Sequence, residues 1–374
     1  MKILFCTNTY ENGSNGPSKF ARYLLEMNTR FEDMEIRILT EDISDNANDG
    51  SIFKLILKLN SWTKPWGFIY RMFPYYWACR DIHQSYAYDV VVFNNAITGI
   101  LCALFLKVPV LGMINDDTSV SISFKNFDGS RRWFRHFIFQ YLEKLACRLQ
   151  QGILVNSKYL RELVSKKYDV TPSKLHLLYK GVLIEKERST KIISFSIPVK
   201  VLFVKTDYVR GGLPDLITAL GLLHEHKFEL RILGPSLIYK QKILNSCNFS
   251  NLQTHFFGPA TSLVVQRLMK QSDIFIVPSH NEALGVANLE ALNNEITVIS
   301  TDIGGIPEVL NHGENGWMVN PGDPDGLAKA ILHAISDPEE RARKRQNGYA
   351  FVSANFSHLE VLNRFKEILN YYLT

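Results

Sequence analysis

The chain has 374 residues, of which 46% are hydrophobic and 21% charged, which excludes a disordered or fibrous protein and suggests two domains. The net charge of +5 hides an asymmetry, because residues 51–200 carry 22 Lys and Arg against 10 Asp and Glu, and the remainder carries 20 against 27. Such a basic block indicates an anionic partner on one face. It contains no recognised nucleic-acid-binding motif, so we expect no nucleic acid partner.

Neither a secretion signal nor a membrane-spanning segment is expected. The opening MKILFCTNTY lacks a cationic stretch followed by a long apolar one, and the apolar run 96–106 is too short to cross a bilayer. The five cysteines are widely spaced without a C-x-x-C pair, so we expect neither a zinc site nor a disulfide framework. We therefore expect a cytoplasmic protein, soluble or peripherally bound at the inner face of the membrane.

Short β-branched runs, each followed by helical periodicity, predict parallel strands covered by helices on both faces. The first series comprises Lys2–Cys6, Glu35–Leu39, Asp89–Phe93, Val108–Met113, Gly152–Asn156 and Leu175–Tyr179. After a polar interval, the second comprises Lys200–Val204, Glu229–Leu233, Thr254–Phe257, Ile274–Val277 and Thr297–Ser300. Two such series predict an α/β protein of two facing, doubly wound, Rossmann-like domains, with the ligand in the cleft between them.

The polar interval 186–191 separates the two series of strands, so we expect domains over 1–190 and 191–356. Residues 357–374 have apolar side chains at helical spacing and predict a terminal helix. Periodicity does not reveal which domain this helix packs on, and the N-terminal domain is one candidate.

The stretch 276–308, IVPSHNEALGVANLEALNNEITVISTDIGGIPE, holds the densest group of candidate functional residues. A strand is followed by a turn that contains Glu282, and Glu290 lies about one and a half turns into the next helix. The start of that helix offers phosphate-attracting backbone amides. These belong to Leu284, Gly285, Val286 and Ala287. A carboxylate on each side of a phosphate cradle suits a nucleotide sugar.

This stretch resembles the E-x₇-E signature of retaining glycosyltransferase family 4, a group with the GT-B fold. The resemblance continues through GGIPEVLNHGENGWMVNPGDPDGLAKAI, residues 304–331, and weakly through the whole chain. It implies metal-independent transfer of a hexose-type sugar from a nucleoside-diphosphate sugar to an acceptor hydroxyl, in surface-polysaccharide or glycolipid biosynthesis. A UDP-sugar is favoured over a GDP-sugar, and no cofactor is expected. The alternatives are an epimerase of the same fold and a non-catalytic nucleotide-sugar-binding protein.

The resemblance also assigns roles to residues of the C-terminal half. It implies that Glu282 contacts the hydroxyls of the donor sugar, that Glu290 holds the ribose and that the backbone of 284–287 cradles the diphosphate. His280 is either a turn residue or a contact to the donor. The glycine-bearing loop after the first strand, which includes Gly16, is either a turn or a part of the donor site.

Two basic residues of the family pattern are displaced in this sequence. The family has an Arg and a Lys that clamp the diphosphate, and these positions align with Thr206 and Gly211. Lys205 and Arg210 are each one residue away. Because a departing nucleoside diphosphate needs charge neutralisation, we expect Lys205 and Arg210 to take over the clamp.

A second departure follows the strand predicted over Val108–Met113. The family often has a His there that faces the donor sugar, whereas this sequence has Asn115 and Asp116. An asparagine can hydrogen-bond a hydroxyl but cannot act as a general base. In the mechanism commonly proposed for the family, the leaving phosphate takes the acceptor proton, so no dedicated base is required.

The basic block contains two aromatic-rich stretches, over 62–77 and 124–149. They are either amphipathic helices with apolar faces in the core or an interfacial surface that places aromatic rings at headgroup depth and Lys and Arg on anionic lipid. The second interpretation favours a saccharide or lipid-linked acceptor and an anionic membrane surface as partners.

Overall fold

The computed structural model describes residues 1–11, 16–28, 30–43, 50–57, 66–121, 130–184, 195 and 197–373. The chain forms two compact units. The first unit is Met1–Lys180 with Val361–Thr374, and the second is Gly181–Glu360. The division therefore precedes the polar interval 186–191, which lies outside the described residues.

The first unit is built on a sheet of seven parallel strands. They are β1 (Lys2–Thr7), β2 (Glu35–Thr40), β3 (Ile52–Lys54), β4 (Val90–Phe93), β5 (Val110–Ile114), β6 (Gly152–Val155) and β7 (Leu175–Leu177). Their spatial order is β3-β2-β1-β4-β5-β6-β7. Six of them correspond to predicted strands, whereas β3 was not predicted from the sequence.

Helices cover both faces of this sheet. They are α1 (Gly16–Asn28), α2 (Gly67–Tyr70), α3 (Met72–Tyr86), α4 (Ile100–Phe105), α5 (Arg131–Leu149) and α6 (Lys158–Tyr168), with 3₁₀ turns at Ala96–Gly99 and Pro172–Lys174. Alternate side chains of β1 point to opposite faces. Phe5 belongs to the core formed with α1, and Cys6 to the core formed with α3 and α4.

The second unit is built on six parallel strands. They are β8 (Val199–Val204), β9 (Phe228–Leu233), β10 (Leu252–Gly258), β11 (Ile274–Val277), β12 (Thr297–Thr301) and β13 (Trp317–Val319). Their spatial order is β10-β9-β8-β11-β12-β13. The sequence predicts all but the three-residue edge strand β13.

Its helices are α7 (Leu213–Leu222), α8 (Lys240–Ser246), α9 (Ser262–Lys270), α10 (Val286–Asn293), α11 (Ile306–Val309), α12 (Pro324–Ser336) and α13 (Pro338–Asn355), with 3₁₀ turns at Leu237–Tyr239 and Asn311–Gly313. The terminal helix α14 (His358–Tyr371) begins in the second unit and belongs to the first from Val361 onward. There Phe365 packs edge-on against Phe20 of α1, with ring centroids 6.1 Å apart.

Each sheet has one point at which the order of its strands reverses. This switch point lies between β1 and β4 in the first sheet and between β8 and β11 in the second. In open α/β sheets, ligands bind beyond the carboxyl ends of the strands at such a point. The loops that follow these four strands are therefore the places where functional side chains are expected.

The cysteines are free thiols, and each of the five is buried. The sulfur atoms of Cys6 and Cys79 lie 3.7 Å apart. None of the described helices combines the length and the apolar character that crossing a bilayer requires.

Candidate functional site

An ion pair lies at the switch point of the second sheet. Lys205 directly follows β8, Glu282 lies in the loop between β11 and α10, and the Lys205 Nζ donates a hydrogen bond to Glu282 Oε2. Both side chains are partly exposed, at 24% and 21%, so a ligand can reach them. The structure thus joins two predicted site residues that are 77 positions apart in the sequence.

A glycine provides the space for the Lys205 side chain. A Cβ atom at Gly211 would lie only 2.8 Å from the Lys205 Cγ and 2.9 Å from the ring of Phe203. Gly211 is the position that aligns with the family's lysine. The absence of a side chain at Gly211 therefore leaves room for the stem of Lys205.

Two further glycines hold the loop that carries Glu282. The Gly305 amide donates to the Glu282 carbonyl oxygen at 3.2 Å. A Cβ at Gly304 would lie 1.8 Å from that same oxygen, and one at Gly305 would lie 2.2 Å from the carbonyl oxygen of Ala283. The segment before α11 can press against the Glu282 backbone only because both residues lack side chains. This is a structural reason for the glycine pair in the GGIPE stretch.

The start of α10 has the geometry of an anion-binding helix end. Gly285 caps the helix with a left-handed φ of 91°, which glycine adopts without strain. The first amides of the helix, from Val286 and Ala287, have no intrahelical acceptor, and both residues are half-buried. Leu284 is buried and anchors the loop. Glu290, also on α10, is half-buried.

The other predicted residues of this unit lie on the turn between β8 and α7 and on the loop after β11. The His280 amide donates to the Arg210 carbonyl oxygen at 2.9 Å, which joins the two segments. The His280 Nε2 lies 2.5 Å from Oδ2 of Asp215, in the first turn of α7. Asp215 was not predicted from the sequence. The one signal that could have indicated it is its place as an acidic residue at the start of a helix.

In the first unit, Asn115 directly follows β5, at the carboxyl edge of the sheet. Its Nδ2 donates to the carbonyl oxygen of Asn94 at 2.8 Å and to the Asn94 Oδ1 at 3.2 Å, and its own carbonyl oxygen accepts from Asn156 Nδ2 at 2.8 Å. Asp116 is exposed, and its Oδ1 accepts from the Thr118 amide at 2.9 Å. These hydrogen bonds of Asn115 and Asp116 are all made with amide groups.

A buried carboxyl group that the sequence did not reveal holds the loop after β5. Glu143 of α5 is 5% exposed, and its Oε2 accepts from the Ser119 Oγ at 2.8 Å and from the Tyr168 hydroxyl at 2.6 Å. Burial raises the pKa of Glu143 to about 7. Gln140 adds a bond from its Nε2 to the Ser119 carbonyl oxygen at 2.9 Å.

The glycine-bearing loop that the sequence placed in the donor site lies mostly outside the described residues. Residues 12–15 belong to that part, and Gly16 is the first residue of α1. The role expected for Gly16 stays a prediction.

Among the described residues, a group with metal-ligand chemistry lies where α12 meets α13. His333, Asp337 and Glu340 each place one ligand atom within 4.8 Å of the others. The Trp317 indole donates to the His333 Nδ1, so the neutral ring carries its proton on Nε2, which lies 3.0 Å from Glu340. Lys344 also pairs with Glu340 at 3.4 Å. These partners make the group a hydrogen-bonded ion-pair cluster.

Two family models match the chain in succession. Residues 20–186 match "Glycosyltransferase Family 4", and residues 186–351 match "Glycosyl transferases group 1". An uncharacterised glycosyltransferase of Methanocaldococcus jannaschii is 25% identical over 88% of this chain and 87% of its own. The capsular polysaccharide biosynthesis glycosyltransferase CapM of Staphylococcus aureus is 22% identical over 64% of this chain and 67% of its own.

Solved structures show the same fold. Sucrose-phosphate synthase from Thermosynechococcus elongatus superposes with a TM-score of 0.78 at 16% identity, covering 99% of this chain and 98% of the other. HepE of Anabaena, solved with UDP and glucose, superposes with a TM-score of 0.70 at 18% identity, covering 99% of each chain. Two parallel sheets, each flanked by helices, agree with this likeness.

Proposed function

The chain belongs to the family 4-like glycosyltransferases of the GT-B fold, and on that premise we propose that it transfers a hexose-type sugar from a nucleoside-diphosphate sugar, with retention and without a metal ion. The acceptor is a hydroxyl group of a saccharide or a lipid-linked saccharide. The relative CapM acts in capsular polysaccharide biosynthesis, which supports a place in surface-polysaccharide or glycolipid assembly. HepE was solved with UDP, which supports a UDP-sugar as donor.

The Lys205–Glu282 pair beside the start of α10 is the observation that supports this function most strongly. The α10 amides and the Lys205 ammonium offer positive charge to a diphosphate, and Arg210 lies on the adjoining turn. Glu282 accepts hydrogen bonds from sugar hydroxyls, and Glu290 does the same for the ribose. One site thereby holds the sugar, the diphosphate and the nucleoside in order.

The transfer then needs no dedicated base. The bond from the anomeric carbon to the diphosphate breaks, a bond to the acceptor oxygen forms on the same face, and a phosphate oxygen takes the acceptor proton. Lys205 and Arg210 stabilise the charge that develops on the leaving diphosphate. Asn115 hydrogen-bonds a hydroxyl, Asp116 and His280 add contacts to the donor, and neither Asn115 nor Asp116 is required to remove a proton.

We also propose that the first unit meets an anionic membrane surface. On α3, Phe73 and Trp77 are 54% and 51% exposed, and the Arg80 guanidinium lies over the Trp77 ring at 4.2 Å. The adjacent α4 exposes Leu104 and Phe105. Exposed rings flanked by cations suit the headgroup region of a bilayer.

The helix α5 presents a second stripe of this kind. Arg131, Phe134, Tyr141 and Arg148 are exposed and spaced three and seven residues apart, which places them on one side of a helix. Phe134 and Tyr141 are 54% and 64% exposed. Cations at both ends of an apolar stripe favour anionic lipid. A cytoplasmic protein bound at the inner face of the membrane would meet a lipid-linked acceptor there.

The transfer is tested by replacing Glu282 and Glu290 singly with Ala and following sugar transfer, with Glu308→Ala as the control. Glu308 lies in the first turn of α11 and outside the proposed donor contacts. We expect Glu282→Ala to lose at least about a hundredfold in transfer and Glu290→Ala to raise the KM for the donor. Full activity in both variants would refute the proposal. Interconversion of the donor sugar without acceptor would identify an epimerase instead.

The membrane surface is tested by co-sedimentation with phosphatidylglycerol vesicles at low salt. We expect the wild type to sediment and Trp77→Ser/Phe105→Ser to remain in solution. Leu237→Ser/Ile238→Ser is the matched control, because it removes two exposed apolar side chains from the second unit. A wild type that stays in the supernatant removes the membrane from the proposal and leaves the transfer untouched.

A further inference from the structure

A histidine and an aspartate join the turn between β8 and α7 to the loop after β11. The His280 Nε2 lies 2.5 Å from the Asp215 Oδ2, and the His280 amide donates to the Arg210 carbonyl oxygen at 2.9 Å. The two segments also touch through their backbones, because a Cβ atom at Gly212 would lie 1.9 Å from the carbonyl oxygen of Pro278. His280 is therefore held twice, by its own amide and by its ring.

The start of α7 keeps the Asp215 carboxylate in one place. Asp215 is the third residue of this helix, which follows Gly212 in a left-handed conformation with a φ of 73°. A carboxylate in the first turn of a helix is stabilised by the helix dipole. The Asp215 side chain is 19% exposed, whereas that of His280 is 45% exposed. The aspartate is thus the covered and anchored partner, and the ring that it holds is the accessible one.

The bond to Asp215 decides which nitrogen of the His280 ring remains for a ligand. An ionised carboxylate only accepts hydrogen bonds, so the proton of the neutral imidazole lies on Nε2. Nδ1 then carries a lone pair, and no hydrogen bond to another described residue occupies it. This lone pair can accept a hydrogen bond from a hydroxyl group, whereas the ionised oxygens of a diphosphate have no proton to donate. The ring held in this way suits a sugar hydroxyl.

His280 lies between the segments that carry the proposed donor contacts. Glu282 is two residues further along the same loop, and its carboxylate pairs with Lys205. The carbonyl oxygen that fixes the His280 backbone belongs to Arg210, the second cation expected at the diphosphate. A mobile ring would lose conformational entropy when it binds a ligand, and a ring already held by Asp215 loses less. The pair therefore prepares the ring before a donor binds.

We propose that Asp215 is a positioning residue of the donor site, which holds the His280 ring by Nε2 so that Nδ1 accepts a hydrogen bond from a hydroxyl group of the donor sugar. The inference rests on the proposed transfer, because it assigns the part of the donor that His280 contacts. Asp215 itself touches no substrate and acts through His280. It therefore contributes to recognition of the sugar and not of the diphosphate.

The first measurement needs no ligand. In the full chain with ¹⁵N-labelled histidine, two-bond ¹⁵N–¹H spectra report which nitrogens of the His280 ring carry a proton, and His280→Ala assigns its signals. We expect a proton on Nε2 that resonates at low field, as a proton bonded to a carboxylate does, and its loss in Asp215→Ala. The proposal is overturned if Asp215→Ala leaves the signals of this ring unchanged.

The second measurement is a double-mutant cycle. Calorimetry gives the affinities for UDP-glucose and for UDP in the wild type, Asp215→Ala, His280→Ala and the double variant. We expect Asp215→Ala to weaken the binding of UDP-glucose about fivefold and to leave that of UDP unchanged, because UDP lacks the hexose. In the His280→Ala background, Asp215→Ala should change either affinity by less than about twofold, because the residue through which it acts is gone.

The matched control is Asp325→Ala, which removes an exposed acidic residue from the first turn of α12 and should alter neither affinity. Equal weakening of UDP and UDP-glucose in Asp215→Ala would overturn the proposal, because Asp215 would then act on the diphosphate. Losses that multiply in the double variant would overturn it too. A wild type that shows the expected coupling yet transfers no sugar would overturn the proposed function alone. If the wild type binds neither nucleotide, the UDP-sugar donor is overturned and the spectra still decide the role of Asp215.

Discussion

The two sheets reverse their strand order in the same way, and an ion pair lies near each switch point, but the surroundings of the two pairs differ. After β8 and β11 the second unit has a lysine and a glutamate in an ion pair next to a helix end whose amides are available. After β1 and β4 the first unit has amides and hydroxyls, and the half-buried Arg71 beside them pairs with Glu41.

The cations that make residues 51–200 basic lie in different parts of the first unit. The excess does not lie in Arg71 beside the first switch point, because the Arg71–Glu41 pair is neutral. Several of its cations instead lie on exposed helix faces, such as Arg80 on α3 and Arg148 on α5. The anionic partner predicted from composition is therefore expected at these exposed helix faces. A charge count over a whole domain cannot distinguish the two positions.

We expect the greatest loss from a substitution that disturbs the backbone at the second switch point. Gly304→Ala places a Cβ 1.8 Å from the Glu282 carbonyl oxygen at a φ of 59°. We expect the free energy of unfolding to fall by about 3–4 kcal/mol, since a left-handed alanine and a backbone clash act together. Transfer should fall with it, because the loop that carries Glu282 has to move. Denaturant titration and donor kinetics measure the two effects.

Gly322→Ala is the matched control for this substitution. Gly322 has a φ of 72° and open space within 4 Å of its ideal Cβ. It should cost about 1–2 kcal/mol and leave transfer unchanged. If the two variants lose the same stability and the same activity, the contact of Gly304 with the Glu282 backbone is not what the glycine serves.

The next prediction concerns a substitution that removes the positive charge of Lys205 from the same site. Lys205→Met keeps most of the side-chain length but loses the ammonium, so we expect kcat/KM for the donor to fall about a hundredfold, or about 2.7 kcal/mol. Stability should change by about 1 kcal/mol at most, because the pair with Glu282 is partly exposed. Lys329→Met, on the exposed side of α12, controls for the change in net charge. A loss below about threefold would show that Lys205 does not neutralise the leaving group.

The sequence offers more local signals at the second switch point than at the first, for a physical reason. Glu282, the α10 cradle and Glu290 follow one another along one strand, turn and helix, so a single local pattern contains them, and their roles stay predictions. The pairing of Lys205 with Glu282 joins two loops, and no local pattern encodes it. The Arg71–Glu41 pair likewise joins segments 30 residues apart.

The prediction of the strands likewise depended on local patterns in the sequence. Eleven of the thirteen strands in the described part of the chain were predicted from short apolar, β-branched runs. The two missed strands, β3 and β13, each have three residues and lie at an edge of a sheet, as does β7, which was predicted because it opens the longer apolar run 175–179. Glu143 was missed because its role depends on Ser119 and Tyr168, which belong to two other segments.

The third effect concerns pH and the loop after β5 in the first unit. Burial raises the pKa of Glu143 from its usual value near 4.5 to about 7, so the folded chain binds a proton that the unfolded chain has already released. This contribution to stability is present at low pH and is lost as the pH rises through 7. We expect the free energy of unfolding to decline by about 2 kcal/mol between pH 5 and pH 7.5 on this account.

The measurement compares the wild type with Glu143→Gln by denaturant titration across that range. The glutamine can still accept from Ser119 and Tyr168 but does not titrate. Burial also lowers the pKa of Lys180 to about 7, and the comparison cancels this contribution because both proteins carry Lys180. A difference between the two proteins that is constant with pH would mean that Glu143 titrates at an ordinary pKa in the folded state.

The smallest loss is expected from a substitution that adds one carbon atom beside Lys205. Gly211→Ala brings a Cβ to 2.8 Å from the Lys205 Cγ, at a backbone conformation that alanine can adopt. We expect kcat/KM for the donor to fall about fivefold, because the lysine stem must shift while the backbone stays in place. In a Lys205→Ala background the same substitution should cost much less, because the alanine at 205 has no Cγ to displace. Equal losses in both backgrounds would mean that Gly211 acts through Phe203, whose ring lies 2.9 Å from the same Cβ, and not through the lysine.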